Sequence, residues 1–499
     1  MSAGAMKRDI VGDIGAQAAL AFLAIIAIAI LVRAIGLGSS LWYDEIATLL
    51  GFVRLPFGEL VSNFSTLNNH PLYSLTAKLS VAVFGESAAS LRLPAALFGV
   101  AAIAAFLPVA RRALGLWPAL LTILLLAVSY HQVWFSQNAR GYTMLLFWTT
   151  LSTILFLEGA RRNDARIWAA YGAVFAAAMY THLSAGFYFA AHGVIYAAFL
   201  LNRFIRKQGA SAPLAGAYPF FGMAFGVALT LLVYAPMLGD MGSTFAGVKE
   251  AAPNAPLAKW SDPVFVLQNL FNQFLALGSF MAIALPAAIV FALYGVYAIW
   301  KKDRILAAIY LLQIPITVAA LEIADMRLWP RYFFVEISFL YLAVVAGVEA
   351  AAVAIGPLVE KRVRIAGVRD KLMILAAIAM VGGSVPLLLR NYAAPKQDLA
   401  GAVAMVDREA ASNDLTTVYG VAAEPVIGYF APEWSELTPA MIREMNGDRR
   451  IWSLVAFREQ VAAADPDAWA LFNEKFSLHA QLPGTLGGGA VFIYVSKPS

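Results

Sequence analysis

Cysteine is absent from the 499-residue chain, so disulfide bonds and thiolate metal sites are excluded. Charge is also scarce: 13% of the residues are charged and 61% are hydrophobic. A water-soluble domain of this composition would expose too much apolar surface. The roughly 10-residue alternating segments of a membrane barrel are missing, whereas apolar runs of about 20 residues recur. The composition therefore predicts an all-α polytopic membrane protein.

Eleven apolar segments are long enough to be membrane-spanning helices. They lie near residues 14–37, 90–110, 114–135, 141–160, 167–182, 185–202, 214–236, 276–300, 305–323, 332–356 and 372–390. The stretch 167–202 counts as two because it is too long for one helix across roughly 30 Å of hydrocarbon. The first run lacks a small-residue cleavage site, so we expect it to be retained as a helix.

Lysine and arginine are distributed unequally between the two sets of connections. One set of connections holds 18 lysines and arginines. The opposite loops before the C-terminal tail are longer but hold only about nine. The richer set comprises Lys7/Arg8, Arg111/Arg112, 161–166, Arg203/Arg206/Lys207, 301–304 and 360–371. Because basic loops stay in the cytoplasm, we expect a cytoplasmic N-terminus and, with an odd number of spans, a periplasmic C-terminus. The expected location is the bacterial inner membrane.

The last hundred residues have a different character from the rest. They mix strand-like runs (416–421, 451–457 and 490–496) with a helix-like run at 466–476 and are polar enough to fold in water. We therefore predict a membrane domain over residues 1–390, with its first periplasmic loop at 38–90, and a small periplasmic α/β or α+β domain over 391–499.

Two adjacent acids, Asp44 and Glu45, open the first predicted periplasmic loop in "SSLWYDEIATLL". Solvated acids are common at helix ends, which is one interpretation. However, Trp42 and Tyr43 suit the interfacial belt and would fix the acids at headgroup depth. A carboxylate at that depth can act as a general base on an acceptor of a lipid-linked substrate.

The same loop continues with an amphipathic pattern. Apolar residues recur at helical spacing after His70–Pro71, and Lys78 lies among them. Pro favours the first turn of a helix, so we predict a helix that starts there and lies on the membrane surface. A single histidine is more often structural than catalytic, but His70 shares the loop with the two acids.

Further ionisable residues lie at the same predicted face. Arg140 precedes Tyr142 at the end of a span, and His182 lies at another. Arg140 can reach the interface as a harmless membrane anchor, or it can hold a phosphate with its two-pronged guanidinium. Both interpretations remain open from the sequence.

The segment "MRLWPRYFFVE" brings more charge to this face. It contains Arg327, Arg331 and Tyr332, with Glu336 just inside the predicted bilayer and Arg331 or Arg140 as its candidate partner. An acid together with guanidinium groups suits displacement of a phosphate leaving group. The predicted site thus consists of catalytic Asp44 and Glu45 and of substrate-binding His70, Lys78, Arg140, Tyr142, His182, Arg331 and Tyr332.

Four segments occur in an order that resembles a known family. They are "LGSSLWYDEIAT", "NNHPLYSLTAKLSVAVFGESAASLRLPAALFG", "FSQNARGYTMLLF" and "WPRYFFVEISFLYLAVVAG". The chain is similar over roughly residues 30–390 to GT-C glycosyltransferases of the protein-O-mannosyltransferase and aminoarabinose-transferase type. The resemblance implies a polyprenyl-phosphate sugar donor, transfer at the periplasmic face and inversion at the anomeric carbon.

The resemblance also implies roles for residues. Asp44 would be the general base, Glu45 would support it or contact the acceptor, Arg140 would bind the donor phosphate, and His70 and Lys78 would line the active site. The family often has an acid where this chain has Asn138. A divalent metal is compatible with the resemblance, but neither metal ligands nor any other cofactor is assigned.

Two classes of function follow from these observations. The first is a glycosyltransferase whose partners are the lipid-linked donor, the membrane and an envelope lipid, glycan or lipopolysaccharide acceptor, with no nucleic acid. The alternative is a transporter or flippase for a lipid-linked substrate, which should carry ionisable residues at mid-membrane and broken helices in corresponding halves. Here the ionisable residues cluster at the predicted outer ends of the spans.

Overall fold

The structure is a computed structural model that describes residues 15–206, 214, 216–250, 258–275, 278–279, 281–363, 366–445 and 449–497. Four of the basic residues counted for the orientation, Lys7, Arg8, Lys207 and Arg364, lie outside the described residues.

Helices, most of them long, account for most of the described residues up to 393. In order they are α1 (Ala16–Ala34), α2 (Tyr43–Thr48), α3 (Phe57–Leu60), α4 (Pro71–Phe84), α5 (Ala88–Leu114), α6 (Leu116–Val128), α7 (Tyr130–Ser136), α8 (Tyr142–Arg162), α9 (Ala165–Thr181), α10 (Ala185–Arg206), α11 (Tyr218–Tyr234), α12 (Leu238–Glu250), α13 (Pro263–Leu275), α14 (Met281–Lys302), α15 (Arg304–Ile323), α16 (Glu336–Val363) and α17 (Val368–Ala393). A π-helix at Leu49–Val53 continues α2, and short 3-10 helices lie at Ala235–Met237, Ala258–Ser261 and Pro330–Phe333.

Each of the eleven predicted spans corresponds to a helix or a bent pair of helices. Within the described ranges, nine helices are long and apolar enough to cross a membrane, and the pair α6 and α7, bent by 55°, makes a tenth. The bend lies at Ser129, whose backbone is extended. The eleventh predicted span is α9, which has 17 residues and therefore a length of about 26 Å. The chain is a multi-pass membrane protein.

Small residues let two of the long helices approach closely. A Cβ atom at Gly295 of α14 would lie 1.7 Å from the carbonyl oxygen of Ala343 in α16, and one at Gly347 would lie 1.9 Å from the carbonyl oxygen of Phe291. Any side chain at either position would push the backbones apart. Glycine is the usual means by which membrane helices pack at this distance.

The C-terminal part contains a five-stranded mixed sheet. Its elements are α18 (Leu399–Glu409), β1 (Leu415–Val418), α19 (Ala423–Tyr429), β2 (Ser435–Glu436), α20 (Pro439–Glu444), β3 (Ile451–Ala456), α21 (Arg458–Ala464), α22 (Pro466–Lys475), β4 (Phe476–Leu482) and β5 (Val491–Ser496). The strand order is β2-β1-β3-β5-β4, with β1 parallel to both neighbours and β5 antiparallel to both of its own. The predicted small α/β or α+β domain is confirmed, whereas the boundary at 390 remains a prediction.

The first loop and the C-terminal domain share one hydrophobic core. Its buried residues include Leu41, Ile46, Leu49 and Val53 from the loop and Leu399, Val403, Val426 and Trp434 from the domain. The backbone amide of Tyr43 also donates to Oε1 of Gln397 at 3.2 Å. These contacts fix the position of α2 against the C-terminal domain.

Candidate active site

A cavity of about 710 Å³ opens where the first loop, the ends of several long helices and the C-terminal domain meet. Its walls are formed by Tyr43, Asp44, Ala47, 50–52, 64–69, Arg140, Tyr142, 182–184, Phe187, Phe245, Leu321, 325–327, Trp329, Arg331, Tyr332, Glu424 and Pro425. Six of the nine predicted site residues therefore line one cavity. They are Asp44, Arg140, Tyr142, His182, Arg331 and Tyr332.

Asp44 projects into this cavity from the first turn of α2. Its Oδ2 lies 3.7 Å from Nη1 of Arg140 and 3.8 Å from Nη1 of Arg331, and its side chain is 16% exposed. Both distances are longer than a hydrogen bond. The carboxylate is thus held electrostatically between two guanidinium groups and retains free lone pairs toward the cavity.

Arg140 is buried and only partly satisfied. Its residue is 2% exposed, and Nη2 lies 2.9 Å from Nε2 of His70. Its Nε and Nη1 have no hydrogen-bond partner among the described residues. A buried donor without an acceptor costs about 1–3 kcal/mol, and more when the group is charged. Arg140 therefore keeps hydrogen-bond donor capacity that the protein does not satisfy, and it lines the cavity.

His70 supports Arg140 from behind the cavity wall. An arginine can only donate, so Nε2 of His70 accepts and the ring proton lies on Nδ1. The 3.3 Å contact between the backbone nitrogen of Gly141 and Nδ1 is then not a hydrogen bond. His70 itself does not line the cavity. As predicted, it precedes Pro71, the first residue of α4.

The second histidine, His182, faces the cavity and packs against the first. The ring centroids of His70 and His182 are 4.6 Å apart, and that of Tyr142 lies 5.2 Å and 5.5 Å from them. Burial, with Arg140 and Arg331 nearby, lowers the pKa of His182 to about 3. Burial, again with Arg140, also holds the pKa of His70 well below 6.5. Both histidines are therefore neutral at physiological pH.

Arg331 and Tyr332 come from the 3-10 helix between α15 and α16. The guanidinium of Arg331 lies over the ring of Trp329, 5.2 Å from its centroid. The Trp329 ring in turn packs against Trp260 at a centroid distance of 5.0 Å. This stacking restrains a side chain that is 37% exposed, so that its charge remains directed at Asp44.

Glu45, unlike Asp44, points into the protein core and not into the cavity. It is fully buried, and its two oxygens accept hydrogen bonds of 2.6 Å each from Nε and Nη2 of Arg92. Oε1 also accepts from the backbone amide of Ala139 at 2.7 Å. Burial raises the pKa of Glu45, but the charges of Arg92 and Lys396 and the hydrogen bonds from Arg92 and Ala139 together outweigh it, so that the pKa is lowered overall. Glu45 does not line the cavity, and a contact between Glu45 and the acceptor has no basis in this arrangement.

Two other sequence-based expectations are corrected. Nζ of Lys78 donates to the backbone oxygens of Val53 at 3.1 Å and Leu55 at 2.6 Å, so it closes the end of the π-helix instead of lining the cavity. Glu336 pairs with neither Arg331 nor Arg140 in the described structure, because both arginines are directed at Asp44. Its Oε1 has no hydrogen-bond partner among the described residues.

Several cavity residues were not predicted. Asn68 and Asn69 lay within a quoted motif, and Trp329 lay beside Arg331, so the sequence offered a signal for these positions. Arg327 had been placed at this face but not assigned to the site. Glu424 comes from the C-terminal domain, and no pattern in the sequence marked it.

Comparison with known proteins agrees with this architecture. Residues 68–238 match the dolichyl-phosphate-mannose-protein mannosyltransferase family. The fold is similar to ArnT from Cupriavidus metallidurans bound to undecaprenyl phosphate, with a TM-score of 0.53 and 14% identity, covering 97% of this chain and 100% of that one. No protein with a curated description matches significantly.

The oligosaccharyltransferase of Archaeoglobus fulgidus is similar as well. Its complex with Zn and sulfate has a TM-score of 0.53 and 13% identity over 93% of this chain and 72% of that one. Its complex with an inhibitory peptide and a dolichol-phosphate has a TM-score of 0.53 and 11% identity over 92% and 72%. The chain is therefore a membrane protein of the GT-C fold. The resemblance to GT-C glycosyltransferases of the protein-O-mannosyltransferase and ArnT type is confirmed.

The described residues do not fit a resident metal ion. They contain no group of three or more His, Asp or Glu side chains that could hold one. At the cavity, Asp44 faces two guanidinium groups, and these cations occupy the surroundings in which a metal would have to bind. No catalytic step is therefore derived through a metal.

Proposed function

We propose that the protein is an inverting glycosyltransferase that moves a sugar from a polyprenyl-phosphate donor to a hydroxyl group of an envelope lipid, glycan or lipopolysaccharide. The observation that carries this proposal is the placement of Asp44 beside Arg140 and Arg331 in one cavity, where Nε and Nη1 of Arg140 have no hydrogen-bond partner among the described residues. A base and an anion site are thus adjacent, as displacement of a phosphate leaving group requires.

The chemistry follows from these positions. Asp44 takes the proton of the acceptor hydroxyl while the hydroxyl oxygen attacks the anomeric carbon of the donor sugar. The bond between that carbon and the phosphate oxygen breaks, and polyprenyl phosphate leaves with the bonding electrons and an additional negative charge. Arg140 and Arg331 stabilise this charge. Attack opposite to the leaving group inverts the anomeric carbon. Neutral His70, against which His182 packs, holds Arg140 in place without contributing charge.

Two similar structures support this choice of donor. The ArnT structure is bound to undecaprenyl phosphate, and one oligosaccharyltransferase structure contains a dolichol-phosphate. Both ligands join a polyprenyl-type chain to a phosphate. A cavity at the ends of apolar helices, with a buried guanidinium on its wall, suits a ligand of that kind.

The main test of the function is Arg140→Lys. If Arg140 binds the donor phosphate, lysine should not replace it, because an ammonium lacks the planar two-pronged geometry. We expect transfer to fall about 10- to 150-fold, the equivalent of roughly 1.5–3 kcal/mol for a charge-assisted hydrogen bond. The measurement is the initial rate of label transfer from a panel of polyprenyl-phosphate sugars to envelope extracts, as a function of donor concentration.

Arg54→Lys is the matched control. Arg54 lies in the first loop and, unlike Arg140, pairs with Glu86 at the surface and does not line the cavity. It should keep both the rate and the donor KM of the wild type. If Arg140→Lys behaves like this control, Arg140 is only a membrane anchor. If the wild type neither transfers label nor binds undecaprenyl phosphate, the proposed function itself is wrong.

The proposed reaction takes place at the periplasmic face of the bacterial inner membrane. The basic connections between the spans favour a cytoplasmic N-terminus and a periplasmic C-terminus. A reporter that works only in the cytoplasm should therefore be inactive when fused after Ser499. The same reporter inserted after Lys302 should be active. Full activity of the Ser499 fusion would contradict this orientation and move the cavity to the other face.

A further inference from the structure

The C-terminal domain supplies part of the cavity wall. Glu424 and Pro425, at the start of α19, lie among the lining residues together with Tyr43 and Asp44. Glu424 is exposed, and in the part of the chain that the structure describes it has no hydrogen bond or ion pair. A carboxylate that faces the cavity without an internal partner is available to a ligand.

The C-terminal domain, including the helix that carries Glu424, packs against the first loop. The ring of Tyr43 meets the ring of Phe457 edge-on at a centroid distance of 5.0 Å. Gly428 lies against Leu50, since a Cβ atom at Gly428 would be 2.8 Å from Cδ1 of that leucine. Glu424 is therefore held at a set distance from Asp44 and is not carried by a loose domain.

Carboxylates and guanidinium groups both line the cavity. Nη1 of Arg140 and Nη1 of Arg331 lie 3.7 Å and 3.8 Å from Asp44 and are taken up by the donor phosphate in the proposed reaction. Tyr43 and Glu424 line the same cavity. The pKa of the Tyr43 phenol is raised by burial and, in addition, by the negative charges of Asp44 and Glu424. The part of the cavity around Tyr43 therefore carries the negative charge of two carboxylates.

We propose that Glu424 forms the acceptor end of the cavity and selects an acceptor that presents hydroxyl or ammonium donors there, while it excludes one with a phosphate next to the accepting hydroxyl. This inference rests on the proposed function. An acceptor must approach Asp44 from the side that the donor phosphate leaves free. Glu424 meets it there as a hydrogen-bond acceptor, and a phosphate at that position would face a like charge.

The test measures competition by three synthetic probes. They are octyl glucoside, octyl 2-amino-2-deoxyglucoside and octyl glucoside 6-phosphate, added to a reaction in which label is transferred from the donor to an envelope extract. With the wild type, the neutral and amino probes should inhibit more strongly than the phosphate probe. Glu424→Lys should reverse this order, because the rim then carries the opposite charge.

Steady-state kinetics provides the second measurement. Glu424→Gln should raise the KM for the acceptor extract about 5- to 10-fold, because the glutamine oxygen still accepts a hydrogen bond but without the charge that strengthens it, and should leave the donor KM unchanged. Because Glu424 is exposed, neither substitution should disturb folding, and the unchanged donor KM verifies this. Glu433→Gln and Glu433→Lys are the matched controls, since Glu433 is exposed on the same domain and does not line the cavity.

The possible outcomes separate this inference from the proposed function. An unchanged acceptor KM in Glu424→Gln, the same probe order in the wild type and Glu424→Lys, or no inhibition by any probe would overturn the role of Glu424. In each of these cases the wild type still transfers label. Absence of transfer by the wild type would instead reject the glycosyltransferase activity on which the inference rests.

Discussion

Asp44→Asn is expected to lose nearly all transfer activity while the protein remains folded. Asparagine keeps the shape of the side chain but cannot take the proton of an acceptor. Removal of a general base typically costs ~100- to 10,000-fold. The variant removes the charge between Arg140 and Arg331 as well, so undecaprenyl phosphate should bind at least as tightly as to the wild type. Single-turnover rates and lipid binding would be measured on the same preparation.

A surface carboxylate of the same loop serves as the control for Asp44. Glu59 is exposed and does not line the cavity, so Glu59→Gln should retain wild-type turnover. Near-wild-type turnover in Asp44→Asn would reject Asp44 as the base. Loss of turnover together with loss of thermal stability would point to a structural role for the carboxylate instead.

Glu45→Gln is expected to have the largest effect on stability. The substitution leaves the guanidinium of Arg92 buried without a counter-charge, and breaking a buried ion pair in this way costs about 3–5 kcal/mol. Activity should fall with it, because the NH2 group of glutamine would face the donors of Arg92 and displace the oxygen that accepts from the backbone amide of Ala139, directly before Arg140. The measurement is thermal unfolding in detergent, together with turnover per folded molecule.

A double substitution distinguishes positioning from catalysis. Replacing a buried pair by apolar groups is often neutral or stabilising, so Glu45→Leu combined with Arg92→Met should recover much of the stability lost in Glu45→Gln. It should not recover activity, because leucine has no oxygen to accept the hydrogen bond from Ala139. Full activity in the double variant would show that Glu45 does not position Arg140.

The ion pair also predicts the direction of the pH dependence of stability. The pKa of Glu45 is lowered from 4.5 in the folded protein. The carboxylate therefore stabilises the folded state fully above about pH 4.5, and this stabilisation is lost as the pH falls through the lower folded value. This part of the acid sensitivity should disappear in Glu45→Gln.

The acids at 44 and 45 illustrate what a sequence pattern can predict. Their place at a helix end, beside two interfacial aromatics, indicated a candidate site, and Asp44 lines the cavity. Neighbouring residues of a helix, however, point about 100° apart, so the two acids need not have the same surroundings. Which of them lines the cavity depends on Arg92, 47 residues further along the chain. Spacing within the first loop could not reveal that partner.

Lys78 and Glu424 show in two ways that a sequence motif does not determine which side chains line the cavity. Lys78 lay in a family-like motif and was expected at the site, but its ammonium is satisfied by two backbone oxygens at the end of the π-helix. Glu424 lay in no motif, yet the docking of the C-terminal domain places it at the cavity. In both cases the position of a side chain is set by an element distant in sequence.

The sequence by itself determined the membrane class, the places of the long helices, the mixed C-terminal domain and the face that carries the ionisable residues. These properties follow from local hydrophobicity and from motifs of a few residues, which act over one helix at a time. Only the tertiary structure decided which ionisable groups are neutralised in the core and which remain available in the cavity. That division depends on burial and on charged partners within a few ångströms, and these are brought together by helix packing and by the docking of residues such as Tyr43 and Gln397, 354 positions apart.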